Sequence, residues 1–79
     1  MILKVISIEK ILFDGTVDRV TLPGSCGPFT VLENHAPLIS TLLQGEIVYW
    51  MGGKKAKIAI EGGIVEVRDN RIAVCLNEV

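Results

Sequence analysis

Apolar and polar residues alternate along most of this chain, and a period of two is typical of β-strands that bury one face. The pattern is clearest where Lys55 and Lys57 alternate with Ala56 and Ile58. No segment has the period of 3.6 that an amphipathic helix requires. The alternation predicts strands over residues 3–8, 10–13, 16–22, 29–32, 38–43, 46–51, 56–60, 64–68 and 71–76.

Turn-forming residues separate these strands. The pairs that we interpret as turns are Asp14-Gly15, Gln44-Gly45, Gly52-Gly53, Gly62-Gly63 and Asp69-Asn70. Glycine, asparagine and aspartate tolerate the backbone conformations that tight hairpins need. Short strands at such intervals predict a single domain, residues 1–79, with an all-β fold: a small antiparallel β-sandwich.

The most distinctive segment, residues 21–38, holds all three prolines and the only histidine. Pro23-Gly24 predicts a type II turn, because proline presets φ and glycine accepts the positive φ that follows. Gly27-Pro28 interrupts the chain again, and Ala36 is biased to an extended conformation because it precedes Pro37. We therefore expect a short strand between two rigid loops, which would form a shaped surface rather than a catalytic pocket.

Composition favours an interaction domain. Of the 79 residues, 49% are apolar and 22% are charged, which excludes intrinsic disorder. So short a chain buries only about two thirds of its unfolded surface, and we expect some apolar surface to lie in an interface. The formal charge of −1 provides no attraction to nucleic acid or an anionic membrane. We interpret the basic cluster at residues 54–57 as the solvated face of a hairpin.

The chain lacks a reactive constellation of residues. With one histidine, His35, no arrangement of nucleophile, base and orienting group is predicted, so we expect no catalytic residues. His35 itself is expected to hydrogen-bond the backbone of its loop or to contact a partner. The acidic residues lack metal-ligand spacing and the glycine pairs do not precede a helix, so neither metal nor cofactor is expected. We expect Cys26 to be exposed and Cys75 to lie on a strand. Two free thiols are the default expectation, and one disulfide is the alternative.

Three groups of residues carry a family resemblance. Thr21–Gly24, Gly27, Phe29, Val31-Leu32 and His35–Leu38 resemble the "TLPG..G.F.VL..HAPL" signature of the epsilon subunit of F-type ATP synthases. Phe13, Gly15 and Val17 resemble the preceding "F.G.V" pattern, and Gly62-Gly63 with Glu66-Val67 resembles the "GG..EV" strand. The chain departs from the family at Pro28, where an acidic residue is common, at Thr30, where many members have glycine, and at Glu33-Asn34, where many have Pro-Gly.

The resemblance implies a β-sandwich that is a non-catalytic subunit of the rotor. It would join the gamma subunit to the membrane c ring and couple translocation of protons or sodium ions to ATP synthesis. By position, the turn formed by Ser25, Cys26, Gly27 and Pro28, with Glu33 beside it, is expected to face the c ring. Ser7, His35 and Ala36 are expected to contact gamma.

The resemblance also implies a location at the cytoplasmic face of the bacterial inner membrane, with membrane association only through the complex. Neither a signal peptide nor a spanning segment is predicted. The helical hairpin that follows the sandwich in most members is expected to be absent, either because this is a short natural form or because it is a truncated one. The alternative is a free-standing β-module that binds a ligand or nucleic acid through Trp50 and the lysine cluster at residues 54–57.

Overall fold

The computed structural model describes residues 1–77, and they form nine strands without a helix among them. Residues 78 and 79 of the predicted domain lie outside the described residues. The strands are β1 (Ile2–Ile6), β2 (Ile11–Thr16), β3 (Arg19–Leu22), β4 (Phe29–Val31), β5 (Leu38–Leu42), β6 (Gly45–Met51), β7 (Lys54–Ile60), β8 (Gly63–Arg68) and β9 (Arg71–Leu76).

The strands form two sheets that pack face to face, which confirms the predicted β-sandwich. The five-stranded sheet has the order β2-β1-β9-β8-β5, and the four-stranded sheet has the order β4-β3-β6-β7. All strand pairs are antiparallel except β1 and β9, which run parallel, with Leu3 opposite Ile72. Parallel pairing of β1 with β9 brings strands from opposite ends of the described chain together inside the five-stranded sheet, whose edges are β2 and β5.

The core is made of the inward-facing residues of both sheets. Each of the side chains of Leu3, Val5, Val20, Ile47 and Val74 is fully buried. Burying an aliphatic side chain of this size contributes about 1.5–3 kcal/mol relative to leaving it exposed. Among the described residues no polar or charged side chain is buried, so the interior is held by apolar packing.

Two hairpin turns agree with the sequence analysis. Gly52 and Gly53 have φ values of 55° and 81°, and Asp69 and Asn70 have φ values of 53° and 60°. Positive φ at both central residues is the signature of a type I′ turn, which matches the twist of the strands that it joins.

Two predicted turns are wrong. Asp14-Gly15 lies inside β2, where Gly15 pairs with Leu3, and the chain turns instead at Val17-Asp18. Gly15 is accommodated in the strand because the Phe13 ring covers its Cα, only 3.1 Å from where a Cβ would sit. Pro23-Gly24 is not a type II turn, since Gly24 does not have a positive φ.

Candidate functional site

The segment from Gly24 to Pro28 forms a tight turn at one end of the sandwich. The Gly27 amide donates to the Gly24 carbonyl oxygen at 3.0 Å, and Gly27 has a φ of 122°. A Cβ on Gly24 would lie 2.8 Å from the Gly27 carbonyl oxygen and 2.8 Å from the Phe29 ring, so only glycine fits there. All residues from Ser25 to Pro28 are exposed. The turn is therefore compact and projects its tip into solvent.

This turn belongs to the four-stranded sheet, but its hydrogen bonds go to the other sheet. Gly24 forms an isolated bridge with Leu42 of β5. The Ser25 amide donates to the Thr41 carbonyl oxygen at 3.0 Å, and the Ser25 hydroxyl bonds both that oxygen, at 3.1 Å, and the Thr41 hydroxyl. The Leu43 amide donates to the Pro23 carbonyl oxygen at 2.8 Å. These bonds hold the turn rigidly against β5.

The loop after β4 lies at the opposite end of the sandwich. Glu33 accepts hydrogen bonds from the Met1 ammonium at 3.2 and 3.4 Å and from Asn70 Nδ2 at 2.8 Å. The bond from Asn70, then the bond from the ammonium and its charge, lower the pKa of the Glu33 carboxyl, and desolvation opposes them in part. The backbone amide of Asn34, whose φ is 59°, donates to Asn70 Oδ1 at 2.8 Å. Asn34 thus supplies the left-handed conformation at the position where the signature that the sequence resembles commonly has glycine.

His35 hydrogen-bonds the backbone of the same loop, which is one of the two roles that we expected for it. Its amide donates to the Leu32 carbonyl oxygen at 3.1 Å, and Nδ1 lies 2.7 Å from the Ala36 carbonyl oxygen. A carbonyl only accepts, so this contact needs the tautomer with the proton on Nδ1. His35 is half-buried and Ala36 is exposed, so the loop presents both residues at the surface.

The expected position of Glu33 beside the turn of residues 25–28 is wrong. Three extended residues of β4 separate that turn from the Glu33 loop, which at about 3.3 Å per residue amounts to roughly 10 Å. Glu33 faces Met1 and Asn70 instead, 32 and 37 residues away along the chain. Contacts at such sequence distances leave no local signal.

Ser7 lies at the same end of the sandwich as the turn of residues 25–28. It begins the short connection between β1 and β2, where its amide donates to the Lys10 carbonyl oxygen at 2.9 Å and its hydroxyl donates to the same oxygen at 3.4 Å. The next residue, Ile8, is 85% exposed. The structure therefore does not bring Ser7 next to His35 and Ala36.

The outer face of the five-stranded sheet carries both apolar and charged side chains. Cross-strand pairing places Ile6, Cys75 and Ile64 in one row, and the next row holds Ala73 between Lys4 and Glu66. Ile39, at the β5 end of that second row, is 72% exposed. From composition we expected an apolar interface without locating it. In the sequence, the indication of its position is that β1 and β9 carry apolar residues on both faces, as strands covered on both sides do.

The opposite outer face, on the four-stranded sheet, contains Trp50. The Arg19 guanidinium lies 4.1 Å from the centroid of its ring and Lys55 Nζ lies 5.9 Å away. The other aromatic rings are not arranged around it. Phe13 packs against Tyr49 in the interior, with ring centroids 4.4 Å apart, and Phe29 packs against the core. A series of exposed rings, on which successive nucleic-acid bases could stack, is not formed by residues 1–77.

Both cysteines are free and exposed, in agreement with the default expectation. The described part of the chain contains no group of three or more metal-ligating side chains. Nor does it contain a helix long and apolar enough to cross a membrane.

The family model for the ATP synthase delta/epsilon chain beta-sandwich domain matches residues 1–79. The chain is 49% identical over 70 residues to the ATP synthase epsilon chain of Leptospira borgpetersenii, covering 89% of this chain and 55% of the relative. It is 39% identical over 72 residues to the epsilon chain of Desulforamulus reducens, covering 91% of this chain and 54% of the relative. The chain thus spans about half the length of the curated relatives that it matches.

Solved structures agree in fold. A chain of the Euglena gracilis mitochondrial ATP synthase superposes with a TM-score of 0.92 at 25% identity, covering 99% of this chain and 51% of that one. A chain from the central stalk and c-ring structure of the Tetrahymena thermophila mitochondrial ATP synthase has a TM-score of 0.81 at 16% identity, covering 98% of this chain and 63% of that one.

Proposed function

This chain belongs to the ATP synthase delta/epsilon beta-sandwich family, and from that premise we propose that it acts as a non-catalytic subunit of the central stalk. In this role it links the gamma subunit to the c ring and couples the translocation of protons or sodium ions to ATP synthesis. A subunit that transmits torque needs a rigid body with two separate contact regions. The sandwich provides a rigid body, because its core and both of its principal loops are fixed by packing or hydrogen bonds.

The observation that carries the proposal is the group of exposed apolar side chains, Ile39 and Ile64 above all, on the outer face of the five-stranded sheet. Exposed patches of this kind mark interaction sites in soluble proteins. Ser7 and the His35-Ala36 loop flank this face at diagonally opposite corners, three strand steps apart. The spacing of strands and residues puts these corners roughly 20 to 25 Å apart, which one interface of ordinary size covers. We assign this face to the gamma subunit.

The turn formed by Ser25, Cys26, Gly27 and Pro28 is assigned to the c ring. It is exposed and held by β5, so it can contact a partner without reordering. Glu33 is not part of this region, because its carboxylate is engaged by Met1 and Asn70. The protein would associate with the membrane only through the complex, at the cytoplasmic face of the bacterial inner membrane, and would need no cofactor.

Binding to purified gamma subunit from the same organism tests the assignment. The variant Ile39→Ser/Ile64→Ser removes two exposed apolar side chains from the five-stranded sheet, and Val48→Ser removes one from the outer face of the other sheet as a control. We expect the first variant to lose about tenfold or more in affinity, equivalent to about 1.4 kcal/mol, and the control to bind like wild type. Equal binding by both variants would refute the assignment of the face. No binding by wild-type protein would refute the proposed function.

A further inference from the structure

The side chain of Asn70 connects the two sheets at the end where the His35 loop lies. Asn70 sits in the β8–β9 turn, yet its Nδ2 donates to Glu33 Oε2 and its Oδ1 accepts from the Asn34 amide, both at 2.8 Å. The two bonds bridge 37 and 36 residues of sequence. A single amide thus fixes the loop after β4 to a turn of the opposite sheet.

The bonding pattern demands an amide at this position. A side-chain amide can donate to a carboxylate and accept from a backbone N–H at the same time, whereas a carboxylate only accepts. An aspartate would also place a second negative charge beside Glu33. The backbone of Asn70, at a φ of 60°, admits asparagine, aspartate or glycine but strains most other residues.

Residues 33–36 depend on this amide for their conformation. Asn34 is in the left-handed region at a φ of 59°, and its amide is satisfied by Asn70. The following bonds, from the His35 amide to Leu32 and between His35 Nδ1 and Ala36, are local. They shape the loop internally but do not bond it to the five-stranded sheet. The chain itself enters β5 of that sheet at Leu38. Within the described residues, the side-chain hydrogen bonds that fasten residues 33–36 to this sheet are those of Asn70 and of Glu33 with Met1.

We propose that Asn70 is a positioning residue for partner binding, whose amide holds residues 33–36 so that His35 and Ala36 are presented to the gamma subunit. The inference rests on the proposed function. A loop that is ordered before association does not lose its conformational freedom on binding, and the complex is correspondingly tighter. Removing the amide should therefore weaken binding even though Asn70 itself does not need to touch the partner.

The variant Asn70→Gly removes the amide and keeps the positive φ. Asp69→Gly, at a φ of 53° in the same turn, is the matched control, because the Asp69 carboxylate has only a 4.0 Å exposed ion pair with Arg68. Well below the unfolding temperature, we expect Asn70→Gly to bind gamma about tenfold more weakly than Asp69→Gly does. Hydrogen exchange at the Asn34 amide should accelerate in Asn70→Gly alone.

A pair of substitutions separates positioning from general stability. Asn70→Asp should weaken binding as Asn70→Gly does, and adding Glu33→Gln should restore it, because the amide introduced at position 33 can donate to the carboxylate introduced at position 70. A purely structural role would change the unfolding temperature and leave affinity unchanged. If the Asn70→Gly variant binds gamma as tightly as wild type does, the inference about Asn70 is overturned and the proposed function still stands. Failure of wild-type protein to bind gamma would overturn the inference and the proposed function together.

Discussion

Replacing Gly24 with alanine should destabilise the domain and loosen the turn that we assign to the c ring. The added Cβ would lie 2.8 Å from the Gly27 carbonyl oxygen and from two atoms of the Phe29 ring. Ordinary van der Waals contact begins at about 3.4 Å, so the overlap is roughly 0.6 Å on two sides. The ring can tilt, but the Gly27 backbone is fixed by the hydrogen bond from its own amide to Gly24.

Overpacking of this kind typically costs about 1–3 kcal/mol, which for a domain of this size lowers the unfolding temperature by roughly 5 to 20 °C. The matched control is Gly15→Ala, whose Cβ would meet only the end of the Phe13 ring, at 3.1 Å. Chemical denaturation of both variants measures the difference in free energy of unfolding. A Gly24→Ala protein within about 0.5 kcal/mol of wild type would show that the turn can rearrange, and the rigidity argued for it would be wrong.

Three further predictions concern charge and contacts. Because the folded-state pKa of Glu33 lies below its ordinary value of 4.5, its contribution to stability is full above that pH and is lost as the pH falls through the lower folded value. Glu33→Gln should therefore be less stable than wild type at pH 7 and closer to it at pH 3, and a pH-independent difference would contradict this. In assembled enzyme, a thiol-directed cross-linker on the exposed Cys26 should capture a c subunit, and capture of only alpha or beta subunits would contradict the assignment of the turn. Calorimetry of residues 1–79 with ATP should give no binding heat, and a micromolar Kd, equivalent to about 8 kcal/mol, would reveal a site that neither the sequence nor the structure indicates.

Local patterns were sufficient to predict nine strands and two of the hairpin turns. Alternation in residues 55–60 places Ala56, Ile58 and Ile60 on the inner face, and the structure has all three at least partly buried with Lys55 and Lys57 exposed. Gly52-Gly53 and Asp69-Asn70 turn where their residue types predict, because the requirement for positive φ is local. Asp14-Gly15 has the same composition but stays in a strand, since pairing with β1 and cover by Phe13 outweigh the turn preference.

Predicting the candidate site would have required contacts between residues that are distant in sequence. The parallel pairing of β1 with β9 joins residues at opposite ends of the chain, and it creates the apolar outer row of Ile6, Cys75 and Ile64. The position of Glu33 is likewise set by Met1 and Asn70, which are distant in sequence. Neither arrangement follows from spacing within a segment. The family resemblance selected residues one at a time and could not show which of them share an end of the sandwich.

The two loops that we assign to partners are also the segments that fasten one sheet to the other. The turn at residues 24–28 extends from the four-stranded sheet and bonds β5 of the five-stranded sheet. The loop at residues 33–36 extends from the same sheet in the opposite direction and bonds the β8–β9 turn through Asn70. A force applied at either loop is therefore delivered to both sheets at once, so the sandwich resists shear between its layers. In a domain whose small core leaves little stability to spare, the same hydrogen bonds can serve both folding and the transmission of torque.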